Sequence, residues 1–177
     1  MREDTVTTKV YNFDELSDKA KETAIENFSD CNVNYDWWES TYEDAKTIGL
    51  RITSFDLDRS RHAKGEWVDS GEETARLILE NHGKSCETHG NAICYLAERS
   101  TLIAKWSDGI KLDEVHEDNE YDFDQECDEL DTEFLKTICE DYSIMLQKES
   151  EYLQSEEAII ETIEANEWEF TVGGILY

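Results

Sequence analysis

Between Asp113 and Glu133 the chain carries twelve carboxylates and no basic residue in 21 positions. Ionised carboxylates lose far too much hydration to be packed inside a core without partners. Whatever this chain folds into must therefore leave one face of that segment in water, and build its core from the residues on either side. The imbalance extends to the whole sequence: 44 acidic against 16 basic side chains among 177 residues give a formal charge of −28. It is also uneven, with −9 over residues 1–100 and −19 over residues 101–177. A chain of this sign cannot bind nucleic acid by neutralising phosphates, so direct nucleic-acid binding is excluded. With 38% hydrophobic and 11% aromatic residues there is still enough large apolar surface for a core. At this length one domain spanning residues 1–177 is expected, with the acidic segment 113–133 as its distinct part.

The opening Met1-Arg2-Glu3-Asp4 is acidic where an export signal is basic, and no apolar run of signal length follows. No stretch nears the roughly 20 apolar residues that cross a bilayer, and anionic headgroups would repel the surface. The expectation is a cytoplasmic protein with no membrane partner. Cys31, Cys86, Cys94, Cys127 and Cys139 are an odd number, read as reduced thiols rather than a disulfide framework.

Proline is absent, so segment ends are read from Gly, Asn, Ser and Asp. Thr5 to Tyr11 reads as a short edge strand. Leu16, Ala20, Ala24, Ile25 and Phe28 recur at helical spacing behind Asp14 or Ser17 as cap, ending near Cys31-Asn32. Tyr35, Trp37, Trp38, Tyr42, Ala45 and Ile48 predict a second helix closed by Gly49. Leu50 to Leu57 and Glu66 to Val68 predict a hairpin. Ser70 caps a third helix closed by His82-Gly83, and Ala92 to Trp106 forms a fourth. A long helix begins inside or after the acidic run and continues through Phe134, Ile138, Tyr142 and Tyr152. Ser155 caps a further helix through Ile163, and Trp168 to Tyr177 reads as a terminal strand or hairpin. The expected fold is helix-dominated α+β, a small mainly antiparallel sheet packed with several helices.

Catalytic signatures are missing: there is no nucleophile elbow, phosphate-cradling Gly-rich loop, His-Glu-x-x-His or dinucleotide fingerprint. A non-enzyme without cofactors is the expectation. His82, Cys86, His89 and Cys94 are ligand types that zinc prefers, and a metal-dependent enzyme built on them is the remote alternative. Their spacing is not that of a zinc knuckle, and a helix through Ala92 would turn them to different faces. Asp118, Asn119, Glu120, Asp122 and Asp124 bear some likeness to a calcium loop, but Phe123 stands where that loop requires Gly. Asp56 and Asp58 share a strand face, a pairing expected by chance among 44 acids.

A charge of −28 exceeds what solubility asks for, and its concentration needs a reason. Carboxylates at i and i+4 of a helix lie about 6 Å apart along it, which lets a few acidic helices present a field like that of a duplex. Glu117, Asp118, Glu120, Asp122, Asp124, Glu126, Asp128, Glu129, Asp131 and Glu133 are the expected contacts for a partner with a basic nucleic-acid groove. The alternative is a structural or regulatory protein that binds through exposed aromatics. Adjacent Trp37 and Trp38 cannot share one helix face, so one of them is the candidate anchor. A homodimer would double the acidic surface, though no heptad seam indicates one.

Tyr11-Asn12-Phe13-Asp14-Glu15-Leu16-Ser17 and its continuation to Lys21, Asn34 to Ser40, Ile52 to Arg59, His82 to Thr88, Ala158 to Glu161 and Ala165 to Thr171 carry a resemblance. In these segments the chain resembles a family of small acidic bacteriophage proteins. The resemblance implies a phage accessory protein acting in the host cytoplasm. Its implied partner is a host defence protein or nuclease that is inhibited by DNA mimicry.

Overall fold

The computed structural model describes residues 8–109 and 117–177, with side chains given for 8–106 and 123–177. Thr5 to Thr7 of the expected first strand and Asp113 to His116 of the acidic segment lie outside the described residues. Six α-helices and two separate two-stranded antiparallel ribbons are present among them, so the fold is helix-dominated α+β. The strands do not merge into the one small sheet expected from the sequence: each ribbon is two strands wide and is covered by its own helices. Contacts group the chain, read from sequence as one domain over 1–177, into two compact units.

One unit joins the two ends of the chain, residues 1–37 and 148–177. Strand β1 (Tyr11–Asn12) pairs with β4 (Glu169–Phe170), Tyr11 opposite Phe170. Helix α1 (Asp18–Asn27) starts where the Ser17 hydroxyl accepts the Ala20 amide, and α6 (Glu156–Ala165) starts where Ser155 does the same for Ala158. Phe13, Leu16, Ala20, Ala24, Ile159, Ile163 and Phe170 form the core, with Trp168 tilted over Phe28 at 4.6 Å. Gly174, at φ +80°, turns directly against the Ala20 carbonyl, where any Cβ would collide. Buried Asn32 donates to the Leu153 carbonyl at 3.1 Å and accepts from the Thr162 hydroxyl at 2.7 Å.

The other unit spans residues 38–147. Helix α2 (Glu39–Thr47) ends in a turn at Gly49, φ +75°, and leads into β2 (Leu50–Asp56). Strand β3 (His62–Trp67) returns antiparallel, Leu50 opposite Trp67, with an irregularity between Ile52 and Ser54. Helix α3 (Gly71–Asn81) is capped by Ser70, and α4 (Glu87–Gly109) and α5 (Glu117–Leu153) follow. Ile48, Leu50, Ala75, Ile78, Ala92, Ile138 and Tyr142 close the core, and Tyr95 stacks on Phe134 at 4.1 Å. The apolar positions of α5 recur every three to four residues, which fixes one side of the helix inward and most of the intervening carboxylates outward.

Candidate functional site

The acidic segment is helical from Glu117 onward, as the first part of α5. The side chains of Glu117, Asp118, Glu120 and Asp122 lie outside the described residues, as does most of the calcium-loop-like stretch. From Asp124 the helix separates its carboxylates into two kinds. Asp124, Asp128, Glu129 and Glu133 are exposed. Glu129 accepts from Gln125 at 2.9 Å, and Glu133 meets Lys136 at 3.2 Å. These four lie within nine residue steps, about 14 Å of helix axis, so successive charges are about 4–5 Å apart along it. A single strand of B-DNA carries one per about 3.4 Å.

Glu126 and Asp131 differ from this set, because both are tied to neighbouring helices. Asp131 is only 29% exposed in its side chain and accepts from the Tyr95 hydroxyl at 2.6 Å and from Arg99 Nη1 at 3.2 Å. Arg99 Nε in turn meets Glu72 at 3.2 Å, and Arg76 holds the other Glu72 oxygen. Burial, with the Asp131 bond second, pushes the Tyr95 hydroxyl up well beyond its ordinary range, so it remains a donor. Glu126 is held by Lys105 at 2.8 Å and by the Trp106 indole at 3.3 Å, and the Lys105 bond lowers its carboxyl below the usual range. These two carboxylates fasten α5 to α3 and α4. Beside them Glu98, Leu102, Glu126, Glu129 and Leu130 line a shallow groove between α4 and α5, with apolar floor and acidic rim.

The aromatic candidates are also corrected. Tyr35, Trp37 and Trp38 precede α2, which starts at Glu39, so they form a turn and not the helical stripe expected. The helix is shorter because the Trp37 amide bonds to the Tyr35 carbonyl at 2.8 Å, closing the turn locally. Trp37 and Trp38 are both half-buried, and Trp38 packs edge-on against Phe55 at 5.5 Å. Tyr35, 58% exposed, is the open aromatic of the three.

Of the four potential zinc ligands, the fold brings together two. His82 ends α3, and Cys86 lies 3.9 Å from its Nδ1. His89 is buried and Cys94 exposed, five residues apart on α4 and so about 140° apart around it. Among the described residues no three His, Cys, Asp or Glu side chains are arranged to hold one metal ion. What joins His82 instead is Asp44, a residue with no sequence signal: its Oδ2 is 3.9 Å from His82 Nε2 and accepts from the Tyr142 hydroxyl at 2.7 Å. Asp44 and Tyr142 are 98 positions apart, and only the packing of α2 against α5 unites them. Nearby Asp141 accepts from Asn91 at 2.9 Å, and burial pushes its carboxyl above the usual range.

Among the described residues no helix is long and apolar enough to cross a membrane. Comparison with known proteins finds no matching family model, no matching curated protein and no matching solved structure.

Proposed function

We propose that the chain inhibits a nucleic-acid-binding protein by laying the exposed carboxylates of α5 into that partner's basic groove. The observation that carries this reading is the run of exposed carboxylates Asp124, Asp128, Glu129 and Glu133, spread over the outward half of α5 at a charge density of the order of that along a nucleic-acid strand. The adjoining groove between α4 and α5 supplies apolar contact that salt does not screen. The resemblance to small acidic phage proteins supports a host defence protein or nuclease as the target. Such a complex needs no catalytic residue in this chain, because occupying the groove is enough.

The test is capture of partners from bacterial lysate by the tagged chain, at low and high salt, followed by competition with duplex DNA. A nucleic-acid-binding protein is expected to be retained at low salt, released by high salt and displaced by the duplex. The combined substitution Asp124→Lys, Asp128→Lys, Glu129→Lys and Glu133→Lys is expected to abolish retention while the circular dichroism spectrum stays unchanged. A partner that survives this reversal in a folded chain would overturn the reading.

A further inference from the structure

Outside the acidic face, Cys86, His82, Asp44 and Tyr142 form a connected group that the proposed inhibition leaves without a role. The Cys86 thiol is exposed. Its carbonyl accepts the Gly90 amide at 3.3 Å and the helix begins at Glu87, so Cys86 occupies the N-cap of the 23-residue α4. His82 Nδ1 stands 3.9 Å from that sulfur. The His82 side chain is only 10% exposed, and its Nε2 is buried with no hydrogen-bond partner among the described residues. That nitrogen faces the Asp44 carboxylate at 3.9 Å, and the fully buried Tyr142 fixes the carboxylate from behind. A carboxylate beside Nε2 favours the tautomer with its proton on Nε2, which leaves Nδ1 free to accept the thiol proton.

We infer that Cys86, His82 and Asp44 form a nucleophilic thiol site that reacts with small uncharged electrophiles, hydroperoxides being the class that fits. The order of groups, nucleophile, base and orienting carboxylate, is that of activated cysteines in general. Lys84 and Glu87 flank the cysteine with opposite charges, so no single sign of charge selects an ionic substrate. An open thiol on a helix end gives little to hold a large substrate, whereas a hydroperoxide needs only the sulfur and a proton donor. In the reaction His82 Nδ1 takes the Sγ proton and Asp44 stabilises the imidazolium. The thiolate attacks one peroxide oxygen, forming an S–O bond as the O–O bond breaks. Sulfur is oxidised by two electrons to the sulfenic acid, the peroxide is reduced, and the leaving alkoxide, or hydroxide from hydrogen peroxide, takes the imidazolium proton to depart as alcohol or water.

Cys94, exposed on the same helix, and buried Cys139 provide internal references. The experiment follows the full-length chain by peptide mass spectrometry, reading iodoacetamide labelling rates and, after hydrogen peroxide, sulfenic acid trapped by dimedone. Cys86 is expected to react about tenfold or more faster than Cys94 in both assays, as assistance by a positioned base implies. His82→Gln and Asp44→Asn are each expected to slow Cys86 and leave Cys94 unchanged. Reaction of Cys86 at the Cys94 rate in the wild type would overturn the inference, as would an unaltered Cys86 rate in folded His82→Gln. If His82→Gln unfolds the chain, Cys139 becomes labelled, and the wild-type ratio together with Asp44→Asn decides. None of these readouts depends on a partner protein, so the site stands or falls separately from the proposed inhibition.

Discussion

Asp128 and Asp131 sit one turn apart on the same acidic helix, yet they do different work. Asp128 is exposed, whereas Asp131 receives hydrogen bonds from Tyr95 and Arg99 and links α5 to α4. Asp131→Ala leaves a half-buried guanidinium and a buried hydroxyl short of an acceptor, at an expected cost of about 1–3 kcal/mol. Asp128→Ala is expected to stay within about 0.5 kcal/mol of wild type. Urea unfolding of the two variants checks this, and equal losses would show that the network contributes nothing. The sequence displays both residues as members of one acidic run. Which of them is engaged depends on Arg99, 32 positions away, and no local pattern announces that partner. The same holds for Asp44: His82 and Cys86 are visible as a pair of ligand types, but the carboxylate that turns them toward thiol chemistry comes from another helix.

At the scale of elements, local rules were followed where a short polar side chain decides. Ser17, Ser70 and Ser155 each accept an amide three residues ahead and start a helix where the sequence places one. Ser155→Ala is therefore expected to lower stability by about 1 kcal/mol, while Ser155→Asp retains most of it because a carboxylate caps as well. Thermal denaturation of both variants distinguishes loss of the cap from a general effect of substitution. Periodicity also placed the β2–β3 hairpin and the long α5. It failed at Tyr35 to Trp38, where aromatics at helical spacing lie in a turn before α2. Spacing records which residues bury together, and a turn that brings Trp38 onto Phe55 satisfies that as well as a helix does. Helix α4 starts at Glu87, five residues ahead of the apolar stretch, because its first turn carries polar residues that periodicity does not register.

For the molecule as a whole, a net charge of −28 makes the folded chain repel itself. Raising KCl from about 0.01 to 0.5 M shortens the screening length from roughly 30 Å to a few Å. The melting temperature is expected to rise by several degrees across that range, even as binding to a basic partner weakens. A melting temperature that falls with salt would show that the chain's own ion pairs outweigh the repulsion. The amino-acid sequence by itself determined the helical character, the caps, the hairpin and the unavoidable exposure of an acidic helix face, because each follows from neighbouring residues and their affinity for water. Tertiary structure alone decided that the two chain ends meet as one unit, that the strands form two ribbons, that Glu126 and Asp131 hold α5 in place, and that Asp44 stands behind His82. Each of those depends on side chains tens of residues apart meeting within a few ångströms, and such meetings are settled by packing and not by local pattern.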